Sequence, residues 1–172
     1  MSSVARNLAS VLAKIKDVVA THSVKVPVRL CAVSKTKPVE ALKLAYDEGQ
    51  RHFGENYVQE LVTKAPLMPD DVQWHFIGNL QSNKCKFVAG IKNLALVETV
   101  DKPSLAKALN KACVKVGRPD PLNVLVQVRA LPVPKKSRWT PTAVPNTTTP
   151  RCECQRKSAN WLAFGFLAGA TP

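Results

Sequence analysis

The sequence predicts an α/β protein built from successive parallel βα units, and three observations carry that reading. Apolar, partly β-branched runs of strand length start near residues 28, 51, 73, 94 and 123. Between them, apolar residues recur at spacings of three and four, the period of a helix with one buried face. Gly and Pro punctuate the joints. A strand–helix repeat of about twenty to thirty residues is the pattern of right-handed βα units in a parallel sheet. Open doubly wound sheets and closed barrels share this local pattern, so the pattern does not choose between them.

The elements follow in order. Val4, Leu8, Val11, Leu12, Ile15, Val18 and Val19 mark an amphipathic helix over about residues 2–20. A polar linker with Pro27 leads to the first strand, residues 28–33, apolar except for Arg29. It stops at the polar corner Ser34, Lys35, Thr36 and Lys37. Pro38 suits a first helical position, where its missing N–H costs nothing. Val39, Leu42 and Tyr46 share a face behind it, and Gly49 ends the helix. A short strand at 51–53 is closed by Gly54, Glu55 and Asn56. Val58, Leu61, Val62 and Ala65 mark a helix stopped by Pro66 and Pro69. Residues 73–78 read as a third strand, 81–89 as a short helix and 94–98 as a fourth strand. Asp101 is read as a helix-start residue. Pro103 opens a helix with Leu105, Leu109, Ala112, Cys113 and Val116 inward and Gly117 as its stop. Residues 123–128 form the fifth strand.

Beyond residue 128 the character changes. Residues 129–172 hold six of the thirteen prolines, and residues 129–150 show neither period. Such a composition buries too little apolar area to offset chain entropy, so this tail is expected to be disordered, apart from a weak apolar turn near 161–167. The charge is uneven too. Of the net +13, 18 Lys+Arg against 11 Asp+Glu precede residue 129, and 7 against 1 follow it. A basic balance permits contact with nucleic acid or acidic membranes. No recognition motif with interleaved aromatics accompanies it, so neither partner is expected. The start lacks a secretory pattern, and the run at 161–170 is too short to span a bilayer. Five cysteines at unpatterned spacings suit thiols in a reducing, cytoplasmic compartment. His22, His52 and His75 lack metal-ligand spacing, and the lone C-x-C at Cys152 and Cys154 has no histidine nearby, so no metal is expected.

The corner after the first strand is the chemically suggestive feature. In parallel α/β folds ligands sit at the C-terminal ends of strands. A lysine there, against an apolar strand, can be partly desolvated, which leaves more neutral amine to attack an aldehyde. Lys35 occupies that position, with Lys37 as a charged neighbour. Asn56 and Glu55 follow the second strand, where either could cap the next helix. Asn56 could equally contact a ligand, and salt-bridging competes with capping for Glu55. His75 alternates with Trp74 and Phe76, shares a strand face with Ile77, and reads as a hydrogen-bonded structural histidine rather than a general base.

Several long motifs then coincide: A-V-S-K-T-K-P at residues 32–38, F-G-E-N-Y-V-Q-E at 53–60 and W-H-F-I-G-N-L-Q-S-N-K at 74–84. With E-T-V-D at 98–101 and N-V-L-V-Q-V at 123–128, they resemble the pyridoxal phosphate homeostasis protein family over about residues 4–128. The resemblance implies a (β/α)8 barrel of the alanine racemase N-terminal type, here incomplete, with an N-terminal helix and about five βα units. It implies pyridoxal 5′-phosphate (PLP) held as a Schiff base on Lys35. It puts Asn56 beside the cofactor ring, with His75, Ile77, Gly78, Glu98 and Thr99 at or near the same rim. The implied role is a monomeric, non-catalytic carrier in vitamin B6 homeostasis, cytoplasmic with a mitochondrial pool also compatible, and PLP-dependent apoenzymes as further partners. Racemase activity is not expected, because no second acid/base group is visible.

The match ends near residue 128. An eight-unit barrel takes roughly 250 residues, and the late loops that grip phosphate in the family have no counterpart here. Codons of the form CCA AAG AAG AGT for Pro134, Lys135, Lys136 and Ser137, entered two nucleotides later, would give Lys-Glu-Glu-Ser-like text resembling the family's acidic segment, so a shifted frame or mis-spliced tail from about Arg129 is the expectation. The alternatives are therefore a truncated or frame-shifted fragment with no ligand function and, ranked lower, a basic nucleic-acid-binding protein.

Overall fold

The computed structural model describes residues 2–127; the expectations for the tail lie outside the described residues. Helix α1 spans Ser3–Thr21 and starts where the Ser2 hydroxyl accepts the Ala5 N–H at 3.2 Å. Its first half buries Ala5 and Leu8, whereas Leu12 and Val18 farther on are exposed. Five strands follow: β1 Ala32–Val33, β2 His52–Glu55, β3 Gln73–Phe76, β4 Leu94–Val100 and β5 Asn123–Val126. Helices α2 Val39–Asp47, α3 Val58–Lys64, α4 Cys85–Ala89 and α5 Pro103–Lys115 alternate with them.

All four strand pairings are parallel, in the order β1-β2-β3-β4-β5. That order answers what the pattern left open. A doubly wound sheet reverses its order at a switch point, whereas a barrel adds each strand beside the one before it. The molecule is wound as a partial barrel.

The side of the sheet facing the helices is the core. Phe53, Trp74, Phe76, Leu94, Val97 and Val100 pack in one cluster with Leu42 and Ala45 of α2, Leu61 of α3, Val88 of α4 and Leu105 and Leu109 of α5. Fully burying a side chain of this kind contributes about 1.5–3 kcal/mol over leaving it exposed. Arg118 fastens the loop that enters β4, donating to the carbonyls of Ile91 at 2.8 Å and Leu94 at 2.7 Å.

Several boundaries differ from expectation for physical reasons. The first strand is two residues long, not six. Before Ala32, the buried Gln50 amide takes over from the ladder, donating to the carbonyls of Leu30 at 2.9 Å and His52 at 2.6 Å. Pro38 is the extended cap of α2 rather than its first residue. Lys102, not Asp101, caps α5, and Val116 lies past its end and is exposed. Gly49 and Gly117 stop their helices with φ of 91° and 65°, a backbone region open to glycine. Among the described residues no helix is long and apolar enough to cross a membrane.

Candidate functional site

Parallel winding brings the C-terminal ends of β1, β2, β3 and β4 side by side. Lys35 lies in the turn directly after β1, Asn56 directly after β2, Ile77 and Gly78 after β3, and Thr99 near the end of β4. Lys35 itself is exposed, which corrects the expectation of a partly desolvated amine. The reason is local: β1 is an edge strand, and no described element covers its turn.

What the turn lacks in cover it has in support. Thr36 has φ of 60°, a left-handed conformation that costs a non-glycine residue about 1–2 kcal/mol. Its N–H donates to Glu60 at 2.8 Å. Ser34, just before Lys35, donates its N–H to the Gly54 carbonyl at 2.9 Å and its hydroxyl to Glu55 at 2.7 Å. The Lys64 ammonium ties these together, donating to the Ser34 carbonyl at 2.8 Å, to Glu55 at 2.7 Å and to Glu60 at 2.6 Å. Glu55 is fully buried, and a buried carboxylate needs such a partner. Burial alone would lower the Lys64 pKa, but its hydrogen bonds to Glu55 and Glu60 outweigh that and raise it. The same ammonium holds the Glu60 carboxyl below its usual range, chiefly by hydrogen bonding. For Glu55, then, salt-bridging is the observed role. Ser34, Glu60 and Lys64 were not singled out in the sequence. Glu60 and Lys64 are four residues apart on one helix, a spacing for an ion pair, and that was the available signal.

Asn56 does not cap the helix after it; Tyr57 is the cap residue and uses no side-chain bond. The Asn56 Oδ1 is buried and has no hydrogen-bond partner among the described residues. Gly78 packs so closely that a Cβ there would stand 2.0 Å from the Asn56 carbonyl oxygen. The Gly78 carbonyl in turn accepts the Thr99 hydroxyl. Asn56, Gly78 and Thr99 therefore form one linked arc across β2, β3 and β4.

His75 sits one layer below that arc, on the sheet face opposite Trp74 and Phe76, and is buried. Its Nδ1 lies 2.9 Å from Glu98 Oε1, and its Nε2 lies 3.0 Å from His52 Nδ1. With both rings neutral, the two contacts are met when His52 donates to His75 and His75 donates to Glu98. Burial, with the charge of Arg29 and the ring of His75, lowers the His52 pKa to about 4. Burial and the Glu98 carboxylate push the Cys31 thiol up to about 12. Gly54 separates Cys31 from Ile77: a Cβ there would meet Ile77 Cδ1 at 3.0 Å and Cys31 Sγ at 3.1 Å. His52 and Cys31 were not sequence candidates for this layer, because only the strand register brings them to His75.

The fold and the rim define a class: a parallel, barrel-wound α/β protein with a lysine at the C-terminal end of its first strand. No protein-family model matches the chain. It is similar to the pyridoxal phosphate homeostasis protein of Schizosaccharomyces pombe, 53% identical over 117 residues, 68% of this chain and 48% of that one. The Escherichia coli protein of that name is 44% identical over 134 residues, 74% of this chain and 55% of that one. Among solved structures, PipY of Synechococcus elongatus with PLP bound aligns with a TM-score of 0.61 at 36% identity, covering 76% of this chain and 56% of PipY. The chain belongs to the pyridoxal phosphate homeostasis protein family. It spans about half the length of these relatives.

Proposed function

We propose that the chain carries the lysine rim of a PLP site and serves vitamin B6 homeostasis by holding the cofactor without turning over an amino acid. The observation that carries this reading is the position of Lys35 at the C-terminal end of β1, on a turn anchored through Ser34, Glu60 and Lys64. Curated relatives are named for PLP homeostasis, and PipY was solved with PLP bound. The residues present also fit the ring end of such a group, though not its phosphate. The buried, partnerless Asn56 Oδ1 is an acceptor awaiting a donor, and the ring of PLP carries a hydroxyl.

When bound, PLP supplies an aldehyde, which condenses with the neutral Lys35 amine as a Schiff base and releases one water. The chain's own residues do the positioning. Lys64 and Glu60 hold the Thr36 backbone and so set where Lys35 stands. Gly78 lets β3 approach Asn56 without a side chain between them. Thr99 fixes that approach through the Gly78 carbonyl, and Ile77 offers apolar surface beside Gly54. His75, held by Glu98 and His52, underpins the rim rather than acting as a base. Cytoplasmic residence, a monomeric state and hand-over to PLP-dependent apoenzymes belong to the same reading.

The test is chemical. The full chain is incubated with PLP, reduced with borohydride and mapped by peptide mass. A label on Lys35, absent after Lys35→Ala, is the expected result. A label spread over Lys37 and surface lysines, unchanged in the variant, would sink the proposal. The rival reading, a fragment without ligand function, is favoured by the exposure of Val124 and Val126 on β5. An unlabelled chain beside a labelled intact relative would decide for it.

A further inference from the structure

Four residues with metal-ligating atoms meet on the inner face of the sheet. Cys31 precedes β1, His52 opens β2, His75 lies within β3 and Glu98 within β4. One ligand atom each from Cys31, His75 and Glu98 lies within 4.8 Å of the other two. The spacing along the chain gave no hint of this, since the three belong to three separate βα units.

We propose that Cys31, His75 and Glu98 form a three-ligand site for a borderline-soft divalent cation, Zn²⁺ by preference, with His52 orienting His75. The donor set is the first argument. Thiolate, imidazole and carboxylate are the ligand types of zinc, and three of them leave a fourth position open. Distance is the second. Zinc takes sulfur at about 2.3 Å and nitrogen or oxygen at about 2.0–2.2 Å, so tetrahedral donors stand roughly 3.3–3.7 Å apart. His75 Nδ1 and Glu98 Oε1, now 2.9 Å apart, need to open by a few tenths of an ångström. Cys31 Sγ, within 4.8 Å of both, needs to close by at most about 1 Å, a side-chain rotation at the start of an edge strand.

Orientation is the third argument. A metal-binding histidine donates its other N–H to a fixed acceptor, which sets its tautomer. His52 Nδ1, 3.0 Å from His75 Nε2, is that acceptor. Without metal, His52 donates to His75 and His75 donates to Glu98. On binding, both rings change tautomer: His75 carries its proton on Nε2 and His52 on its own Nε2. The rings gain and lose no proton overall. Cys31 loses its thiol proton to solvent, so one cation enters and one proton leaves. The charge balance favours this. A thiolate beside the Glu98 carboxylate is unfavourable in a half-buried site until a cation joins them.

The site lies one layer below the Lys35 rim and uses none of the atoms assigned to the cofactor, so PLP is left out of its test. Co²⁺ is titrated into the full chain under reducing conditions. The expected result is a saturable thiolate-to-cobalt band in the near ultraviolet at one equivalent, displaced by Zn²⁺. Cys31→Ser should abolish the band, Glu98→Gln should weaken binding at least tenfold, and His52→Ala by about 10–100-fold. A chain with Cys85, Cys113, Cys152 and Cys154 all changed to Ser should keep the band. No thiolate band, or one that survives Cys31→Ser or vanishes with the other four cysteines, would overturn the proposal.

Discussion

The two faces of the sheet are built on different terms. The helix-facing residues of β2, β3 and β4 pack in one cluster with residues of α2, α3, α4 and α5, the helices that alternate with the strands. Phe53, Trp74, Phe76 and Val97 are accordingly buried to 1% or less. The inner face is closed only by strands from around the barrel, not by neighbours in sequence. There, Val33 remains 49% exposed, and His52, His75 and Glu98 hydrogen-bond to one another with the Cys31 thiol beside them. The outer face thus holds the structure together, and the inner face is where polar chemistry can be kept.

This contrast can be broken by substitution. Trp74→Ala on the helix-facing side should cost about 3–5 kcal/mol, the range for emptying a buried aromatic site. Val33→Ala on the inner side should stay within about 0.5 kcal/mol. Chemical denaturation of the two variants is the measurement. Equal losses would mean that the inner face is packed as tightly as the outer one, and the distinction drawn here would fail.

One charged cluster crosses the contrast, because Glu55 and Lys64 lie on the apolar, helix-facing side. Lys64→Met should destabilise by about 3–5 kcal/mol, since it strands a buried carboxylate. Changing both partners to apolar residues of similar size should recover most of that loss. Borohydride labelling of Lys35 in the double variant sharpens the point. If stability returns while labelling stays weak, the pair positions the turn; if both return, it serves packing alone.

The same division explains what could be read in the sequence. Helices and strands showed through because their apolar spacing records burial against local neighbours: Leu105, Leu109 and Ala112 were placed inward and are buried. The rim positions Lys35, Asn56 and Gly78 were legible through long motifs. The inner layer was legible only in part. The resemblance put His75 and Glu98 near one rim, but Cys31 and His52 are brought to them by strand register, and no local period encodes register between strands some twenty residues apart. The shortened β1 was missed for a related reason, as its apolar run is real but a side-chain amide replaces its ladder.

Smaller effects refine the picture at the rim. Gly78→Ala places a Cβ against the Asn56 carbonyl, so the backbone must shift, at about 1–3 kcal/mol. Gly54→Ala meets only side-chain atoms of Ile77 and Cys31 at 3.0 and 3.1 Å and should cost less. Thermal unfolding of the pair tests that order. A reversed order would mean that the Asn56 segment yields more easily than the inner-face side chains.

The smallest effect is one of pH. The folded Glu60 carboxyl titrates below its unfolded value, because the Lys64 ammonium and the Thr36 N–H both favour the charged form. The unfolded chain therefore binds the proton first as pH falls. The stability from Glu60 is fully present above the unfolded value, near 4.3, and is lost as pH drops through the folded one. Lys64 acts at the opposite end. Its folded pKa is raised, so its share is present below the unfolded value near 10.4 and is lost as pH rises through the folded one. Glu60→Gln should flatten the acid limb of the stability curve by less than about 1 kcal/mol, since Glu60 is partly exposed. It should leave the decline above pH 10 largely in place, because Lys64 keeps Glu55. Urea midpoints across pH measure both limbs. An unchanged acid limb would mean that Thr36 holds its left-handed turn without help from the carboxylate.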